Sequence, residues 1–135
     1  MALSLLRIFR NKKSQVSPFV FVAFSLKFPR ATNLEWHQVG ILEWQVSFTL
    51  NKKKCTALFS RDGQWLETVM AMPLHLLPEQ LQQSLEEKYA EKKHKQIYHV
   101  QTPDRSHYEM SLTEGSSTLK LLFDLTGNIV GKLVM

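Results

Sequence analysis

Residues 44–67 of the chain read WQVSFTLNKKKCTALFSRDGQWLE, and residues 108–131 read YEMSLTEGSSTLKLLFDLTGNIVG. The two stretches align without a gap at an offset of 64 residues. The clearest matches are Trp44 with Tyr108, Leu58 with Leu122, Phe59 with Phe123, and Gly63 with Gly127. Because the apolar pattern and the turn glycine agree together, the alignment indicates an internal repeat.

A helix is predicted upstream of each copy, where the offset is 61 residues. The matched apolar sets are Val20, Phe24 and Phe28 in the first copy, and Leu81, Leu85 and Tyr89 in the second. Both sets step by four, which places each on one helical face, whereas strand alternation has a period of two. Pro18 and Pro78 suit first helical turns, and Pro29 ends the first helix. We expect both apolar faces to lie in the core.

Four strands are predicted after each helix. Between residues 42 and 50, apolar and polar side chains alternate with a period of two, which is typical of a strand with one buried face. The apolar members are Leu42, Trp44, Val46, Phe48 and Leu50. Turn signals separate the strands. They are Gly40, Asn51 to Lys53 and Asp62-Gly63 in the first copy, and Pro103-Asp104, Gly115 to Ser117 and Thr126-Gly127 in the second.

The repeat predicts an α+β fold built from tandem α-β4 repeats. We expect an antiparallel eight-stranded sheet with two helices packed on one face, because neither copy alone offers much core. A chain of 135 residues, 44% hydrophobic and 21% charged, suits one compact globular domain. The predicted single domain, 1–135, comprises an N-terminal basic tail (1–15), repeat 1 (16–72) and repeat 2 (73–135).

The net charge of +5 is concentrated in the tail. Residues 1–13 contain Arg7, Arg10, Lys12 and Lys13 and no acidic residue, whereas residues 14–135 carry 13 basic and 12 acidic side chains. This near neutrality argues against nucleic acid as a partner. No apolar run reaches the roughly 18 residues of a membrane-spanning helix, so no transmembrane segment is predicted.

The tail does not resemble an export signal, because its apolar residues precede its basic ones. Three interpretations stay open: a disordered tail, a basic amphipathic segment that touches a membrane surface, and the remnant of a longer leader lost to a misplaced start codon.

Motifs for catalysis are absent from the sequence. There is no Gly-rich phosphate loop, no Gly-x-Ser-x-Gly and no His-Glu-x-x-His. The single cysteine, Cys55, excludes an intrachain disulfide and aligns with Leu119, which favours a small apolar strand residue over a nucleophile. No pair of carboxylates has a spacing that argues for acid–base catalysis. We therefore predict no enzyme activity, no catalytic residues, no bound metal and no cofactor.

A weak metal site is the alternative among the histidines. If Val100 pairs with Tyr108 on the inner face of the sheet, His99 faces Glu109 on the outer face, and His107 lies diagonally nearby. Solvated polar residues on an exposed face are the favoured interpretation of these side chains.

The solvent-exposed face of the predicted sheet is the candidate binding surface, because its polar side chains project from a rigid backbone. The predicted partner-binding residues are Glu43, Gln45, Ser47 and Thr49 from the first copy, and His107, Glu109, Ser111 and Thr113 from the second. An ordinary solvated face without a partner is the competing interpretation. An edge strand that receives a peptide as an added strand is a further alternative.

Three stretches resemble one known family. They are Phe28 to Trp36 (FPRATNLEW), the strand Leu42 to Leu50, and Leu58 to Thr68 (LFSRDGQWLET), followed by a second round that ends in Leu122 to Ile129 (LFDLTGNI). Together they resemble the PepSY-like family of β-lactamase-inhibitor-like proteins, which are common in Bacteroidetes. The resemblance covers about residues 16 to 135 and implies tandem α-β4 units, no enzymatic activity and export to the periplasm or cell envelope.

The predicted function is a non-enzymatic module of PepSY-like type that binds a protein or peptide through the exposed sheet face. Inhibition of a peptidase or a β-lactamase is implied by analogy of fold alone. The alternative is a sensor that binds a small ligand or a metal. The resemblance implies a periplasmic or cell-envelope location. A cytoplasmic location stays open as the alternative, because the chain shows no recognisable signal peptide. The sequence does not determine the partner's identity or the oligomeric state.

Overall fold

The computed structural model describes residues 16–89 and 94–134. The predicted basic tail, 1–15, lies outside the described residues. Within the described residues, two α-helices and eight strands follow one another in the order predicted from the repeat. The bounds are α1 (Pro18–Lys27), β1 (Thr32–Val39), β2 (Glu43–Leu50), β3 (Lys53–Ser60), β4 (Trp65–Ala71), α2 (Glu79–Tyr89), β5 (His94–Gln101), β6 (Ser106–Glu114), β7 (Ser117–Phe123) and β8 (Ile129–Val134), with a 3₁₀ turn at Leu74–Leu76.

The strands form one antiparallel sheet in which the order β1 to β8 follows the chain. The predicted fold class, α+β with an eight-stranded antiparallel sheet and two helices, is confirmed. Each predicted turn signal lies at or between the ends of consecutive strands. Within the described part of the chain, no helix is both long and apolar enough to cross a bilayer.

The chain divides into two compact units, and the boundary lies between Thr68 and Val69. We call them the N-terminal unit and the C-terminal unit. The repeat ranges inferred from the sequence, 16–72 and 73–135, differ slightly from this boundary and stay a proposal.

Aromatic side chains form the core of the N-terminal unit. On α1, Val20 and Phe24 are buried, as the step of four predicts. The Phe24 ring contacts Phe48, Trp36 and Phe59 at centroid distances of 5.0, 5.4 and 6.2 Å. Because all three contacts are edge-to-face, with interplanar angles of 73° to 78°, they add specific ring attraction to the burial of apolar area.

Aliphatic side chains dominate the core of the C-terminal unit. Leu81 and Leu85 on α2 are fully buried, again on the predicted face. The remaining core members are Leu77, Ile97, Met110, Leu112, Leu121 and Phe123, with Met72, Tyr89, Tyr108 and Leu119 packed against them.

One end of the predicted alternation in β2 is wrong. Trp44, Val46 and Phe48 are buried, but Leu42 is 65% exposed and lies in the turn before the strand. The Leu42 carbonyl accepts a hydrogen bond from the Arg61 amide at 2.8 Å. The backbone of Leu42 therefore has a structural role while its side chain remains in solvent.

Candidate functional site

One face of β2 carries four of the predicted binding residues. Glu43, Gln45, Ser47 and Thr49 are half-buried and alternate with the buried residues of the strand. We call these four residues the N-terminal polar face. Their placement follows from the period of two, because the apolar neighbours must face the core.

The flanking strands extend the N-terminal polar face. Gln45 lies between His37 on β1 and Leu58 on β3, and Ser47 lies between Glu35 and Thr56. The His37 Nε2 and Glu35 Oε1 atoms are 3.5 Å apart, with both side chains more than half exposed. Such an exposed pair contributes little stability, so its main effect is to present one imidazole and one carboxylate together.

The other four predicted residues lie on β6. His107, Glu109, Ser111 and Thr113 are half-buried, whereas Met110 and Leu112 between them are buried. We call these four residues the C-terminal polar face. Glu109 lies between Tyr98 on β5 and Leu122 on β7. The structure thus places both predicted sets on strand faces, each within its own unit, and their role in binding stays a proposal.

Glu109 is the centre of the C-terminal polar face. Three shallow grooves of about 400, 470 and 220 Å³ all have Glu109 in their walls. The His107 Nε2 and Glu109 Oε1 atoms are 3.2 Å apart, and the side chain of Glu109 is 47% exposed. One carboxylate oxygen is thereby oriented by an imidazole while the group stays accessible. This arrangement suits an acceptor for polar donors of a partner.

The register of β5 and β6 differs from the pairing on which the alternative metal site depended. Val100 pairs with His107, and His99 pairs with Tyr108, so the predicted pairing of Val100 with Tyr108 is wrong by one residue. Cross-strand partners share a face, so His99 lies on the face of Tyr108 and not on that of Glu109. The His99 and Tyr108 rings are 5.3 Å apart.

Burial lowers the pKa of His99, and the neighbouring His107 imidazole lowers it further. The imidazole of His99 is therefore kept neutral against the ring of Tyr108. The described residues hold no cluster of three or more metal-ligating side chains.

Cys55 lies opposite Phe48 and is 4% exposed. Burial raises the pKa of its thiol, although the nearby Lys53 ammonium lowers it in part. A neutral, buried thiol is a weak nucleophile, so its surroundings agree with a structural residue.

Several groove residues were missed at the sequence level. Tyr98, Lys120, Leu122 and Leu133 border the C-terminal polar face. Along β7, Leu119, Leu121 and Phe123 point to the core, so Lys120 and Leu122 lie on the opposite face. This alternation could have been predicted from the sequence. The pairing of β8 with β7 includes a shift in register between Leu122 and Phe123. No local sequence pattern predicts this shift.

Several solved structures have the same fold as this chain. No match was found among curated proteins. Among solved structures, a BLIP-like protein from Bacteroides fragilis has a TM-score of 0.81 at 16% identity and covers 93% of this chain and 91% of its own. A DUF2874 family protein from Bacteroides ovatus has a TM-score of 0.80 at 17% identity and covers 90% and 89%. A protein from Bacteroides eggerthii, described among "putative periplasmic proteins", has a TM-score of 0.80 at 15% identity and covers 90% of each chain.

At these identities the structural likeness shows the fold alone. Membership of a family comes from the sequence match, because the model of the family described as "Putative beta-lactamase-inhibitor-like, PepSY-like" matches residues 43–131. That range includes both polar faces and most of both repeats, as the residues quoted from the hairpins predict. The chain belongs to the PepSY-like family of β-lactamase-inhibitor-like proteins.

Proposed function

We propose that the chain is a non-enzymatic module that binds a protein or a peptide through its two polar faces. The observation that carries this proposal is the surface around Glu109, where an oriented carboxylate borders three shallow grooves. Shallow grooves on a strand-built frame suit the side chains of a macromolecule better than the enclosure of a small molecule, which usually needs a deeper cavity.

Two further features support a binding role over an enzymatic one. The family is inhibitor-like by description, and the single thiol of the chain is buried with a raised pKa. Inhibition of a β-lactamase or a peptidase is the finer form of the proposal. The likeness to a B. eggerthii protein described as periplasmic supports a location in the periplasm or cell envelope, where such enzymes occur.

The test uses charge substitutions that spare the fold. Ser47→Lys places a cation opposite Glu35, and Ser111→Glu places an anion beside Lys120, so each new charge meets an opposite one on the neighbouring strand. Matched controls are Ser25→Lys on α1 and Gln83→Glu on α2, both at exposed positions. The bait is captured against a cell-envelope extract, and captured enzymes are assayed for inhibition.

We expect each polar-face variant to reduce affinity for the captured partner by about tenfold or more, as loss of a central contact does. The controls should retain the wild-type affinity, and all four variants should unfold within about 0.5 kcal/mol of the wild type. Equal capture by polar-face and control variants, or capture of nothing, would contradict the proposal.

The alternative function is a sensor that binds a small ligand or a metal. Its metal-binding form depended on His99 facing Glu109, and the observed pairing of His99 with Tyr108 does not provide this arrangement. Its small-ligand form stays a prediction. A ligand that raises the melting temperature of the wild type but not of Glu109→Ala would favour it.

A further inference from the structure

Among the described strands, β8 lies at one edge of the sheet. It stands last in the strand order and has one neighbour, β7, among the described strands. Its sequence, IVGKLV, carries a single charge, and its apolar side chains are open to solvent. Ile129, Val130, Leu133 and Val134 are 42%, 63%, 56% and 70% exposed. An exposed apolar edge strand offers main-chain groups and apolar contacts to a further strand.

The opposite end of the strand order is protected by contrast. In β1, Glu35 and His37 are charged or ionisable and exposed, and Trp36 is buried. Asn33 adopts a left-handed φ of 56°, and the register of β1 shifts between Thr32 and Glu35. Bulges and charges of this kind discourage strand addition. The two edges therefore differ in kind, and β8 is the one suited to pairing.

Two of the grooves at the C-terminal polar face extend to β8. Leu122, Gly131 and Leu133 line one, and Leu122 and Val130 line the other, with Glu109 common to both. At Gly131 a Cβ atom would lie 2.9 Å from Leu122 Cδ1, so glycine leaves room for the Leu122 side chain. Alternate side chains of a strand added beside β8 would therefore meet apolar grooves next to the edge.

Two lysines lie on or beside β8. Lys120 on β7 pairs with Leu133, and Lys132 pairs with Leu121, so the two lysines lie on opposite faces of the β7–β8 pair. Both lysines are exposed, and Lys120 borders two of the grooves together with Glu109. Lys132 therefore presents a positive charge on the face opposite to Lys120 and Leu122.

We propose that β8 accepts an extended acidic and apolar peptide segment of a partner as an additional strand. The main chain of the segment pairs with β8. Its apolar residues enter the grooves at Leu122 and Leu133 on one face, and its carboxylates meet Lys132 on the opposite face. An acidic partner fits better than a second copy of this chain, because β8 carries one lysine and no acidic residue, so two copies of the strand offer no opposite charge to each other. The proposal deepens the proposed function by naming the partner's chemistry and a second contact region.

The test uses a capped ten-residue peptide of alternating valine and glutamate, with affinity followed by fluorescence anisotropy. A second peptide carries lysine in place of glutamate. Two further peptides carry N-methyl groups on every second residue, in opposite phases, so that only one of them loses the N–H groups that face β8. The protein variants are Lys132→Glu and the matched control Lys88→Glu, an exposed position on α2.

We expect the glutamate peptide to bind and to slow hydrogen exchange at the amides of Ile129–Val134. Lys132→Glu should weaken the glutamate peptide about fivefold and strengthen the lysine peptide, as reversal of a cross-strand charge pair does. Lys88→Glu should change neither. One N-methylated peptide should bind more than about tenfold more weakly than the other, because only main-chain pairing distinguishes the two phases.

Absence of binding overturns the proposal, and so does an equal loss for both N-methylated peptides. Protection confined to the amides of β6, or a dimer of the free chain that buries β8 in sedimentation experiments, also overturns it. Failure of the edge proposal can be distinguished from failure of the proposed function. If partner capture depends on Ser47 and Ser111 while no peptide pairs with β8, the polar faces retain their role and only the edge proposal fails.

Discussion

In each unit, a glycine in the turn before the last strand allows that turn to pack against the helix of the same unit. A Cβ atom on Gly63 would lie 2.8 Å from the Phe19 carbonyl oxygen in α1, and one on Gly127 would lie 3.3 Å from the Leu81 amide nitrogen in α2. Both residues have positive φ, 91° and 101°. Glycine is required here by close backbone approach and by conformation together. The agreement of Gly63 with Gly127 in the sequence alignment thus reflects the same turn-to-helix contact in both units.

Gly63→Ala should lower the free energy of unfolding by about 2 to 3 kcal/mol, because the added methyl group meets backbone atoms that cannot yield easily. Gly115→Ala is the matched control: its φ is also positive, 60°, but nothing lies within 4 Å of the added atom. This control should cost about 1 kcal/mol, the price of the left-handed conformation alone. Urea denaturation measures both, and equal losses would contradict the argument.

The carboxylate of Asp124 organises the last hairpin turn. It accepts hydrogen bonds from the Thr126 hydroxyl at 2.6 Å, the Asn128 amide at 2.9 Å and the Thr126 amide at 3.0 Å. These bonds, the Thr126 hydroxyl first, lower the pKa of Asp124 to about 2. In the corresponding turn of the N-terminal unit, the Ser60 hydroxyl accepts a hydrogen bond from the Gln64 amide at 3.1 Å.

The low pKa of Asp124 predicts a loss of stability in acid. An unfolded aspartate titrates near pH 3.9, so the contribution of Asp124 is fully present above about pH 4. It is lost as the pH falls toward the folded pKa of about 2. Asp124→Asn should therefore flatten the fall in unfolding free energy between about pH 4 and 2. Urea unfolding across this range measures the slope.

Thr126→Val should flatten the same slope in part, because it removes the hydroxyl donor and leaves the two amide donors in place. A slope in Asp124→Asn equal to that of the wild type would show that other carboxylates dominate the acid response.

The helices differ in sequence but bury equivalent positions. Helix α1 (PFVFVAFSLK) has one charged residue, whereas α2 (EQLQQSLEEKY) has six polar or charged residues exposed to solvent along its length. Val20 and Phe24 of α1 correspond to Leu81 and Leu85 of α2, and all four are buried. The step of four, and not overall composition, determines which side chains enter the core.

Phe24→Ala should cost about 3 to 5 kcal/mol of unfolding free energy, because it removes the ring at the centre of the aromatic cluster and leaves a cavity. Phe19→Ala on the same helix is the control, since Phe19 is 69% exposed, and it should cost no more than about 0.5 kcal/mol. Thermal and urea denaturation measure both variants. Similar losses in the two variants would show that α1 contributes through its whole surface and not through one face.

At the scale of the whole molecule, charge is distributed unevenly along the chain. Residues 14–135 carry 13 basic and 12 acidic side chains, whereas residues 1–13 carry four basic ones and no acid. Electrostatic binding to nucleic acid requires several clustered cations. The charge of the globular part therefore fits a protein or peptide partner better than a polyanion.

A chain lacking residues 1–13 should show no salt-dependent binding to duplex DNA between about 50 and 200 mM salt. Any binding by the full chain should lose its salt dependence on that deletion. Fluorescence anisotropy of a labelled duplex measures both. A steep salt dependence that survives the deletion would reveal a cationic surface on the folded units.

Much of the fold was readable from sequence because its signals are local. The step of four at Val20 and Phe24, the alternation along β2 and the glycines at turns each arise within one element or one hairpin. The repeat doubled every signal, so that a weak pattern in one copy could be checked against the other. The polar faces followed from the same alternation, although their binding role stays a proposal.

The register of β5 and β6 was not readable in this way. The intervening turn is closed by the Thr102 amide, which donates to the Arg105 carbonyl at 2.8 Å, while the Thr102 hydroxyl accepts from the Arg105 amide at 3.2 Å. This closure pairs Gln101 with Ser106 and shifts His99 opposite Tyr108. Because side chains alternate along a strand, a change of one residue in a turn moves a histidine from one face to the other.

The sequence by itself determined the elements, their order, most of the buried positions on the helices and on β2, and the family. Only the tertiary structure decided which side chains meet across strands: the contact of His107 with Glu109, the grooves that border Glu109, and the exposed edge at β8. The reason is physical. Periodicity and turn chemistry act over a few neighbouring residues. Cross-strand contacts depend on the register between strands, and a strand is an edge only when no further strand pairs with it.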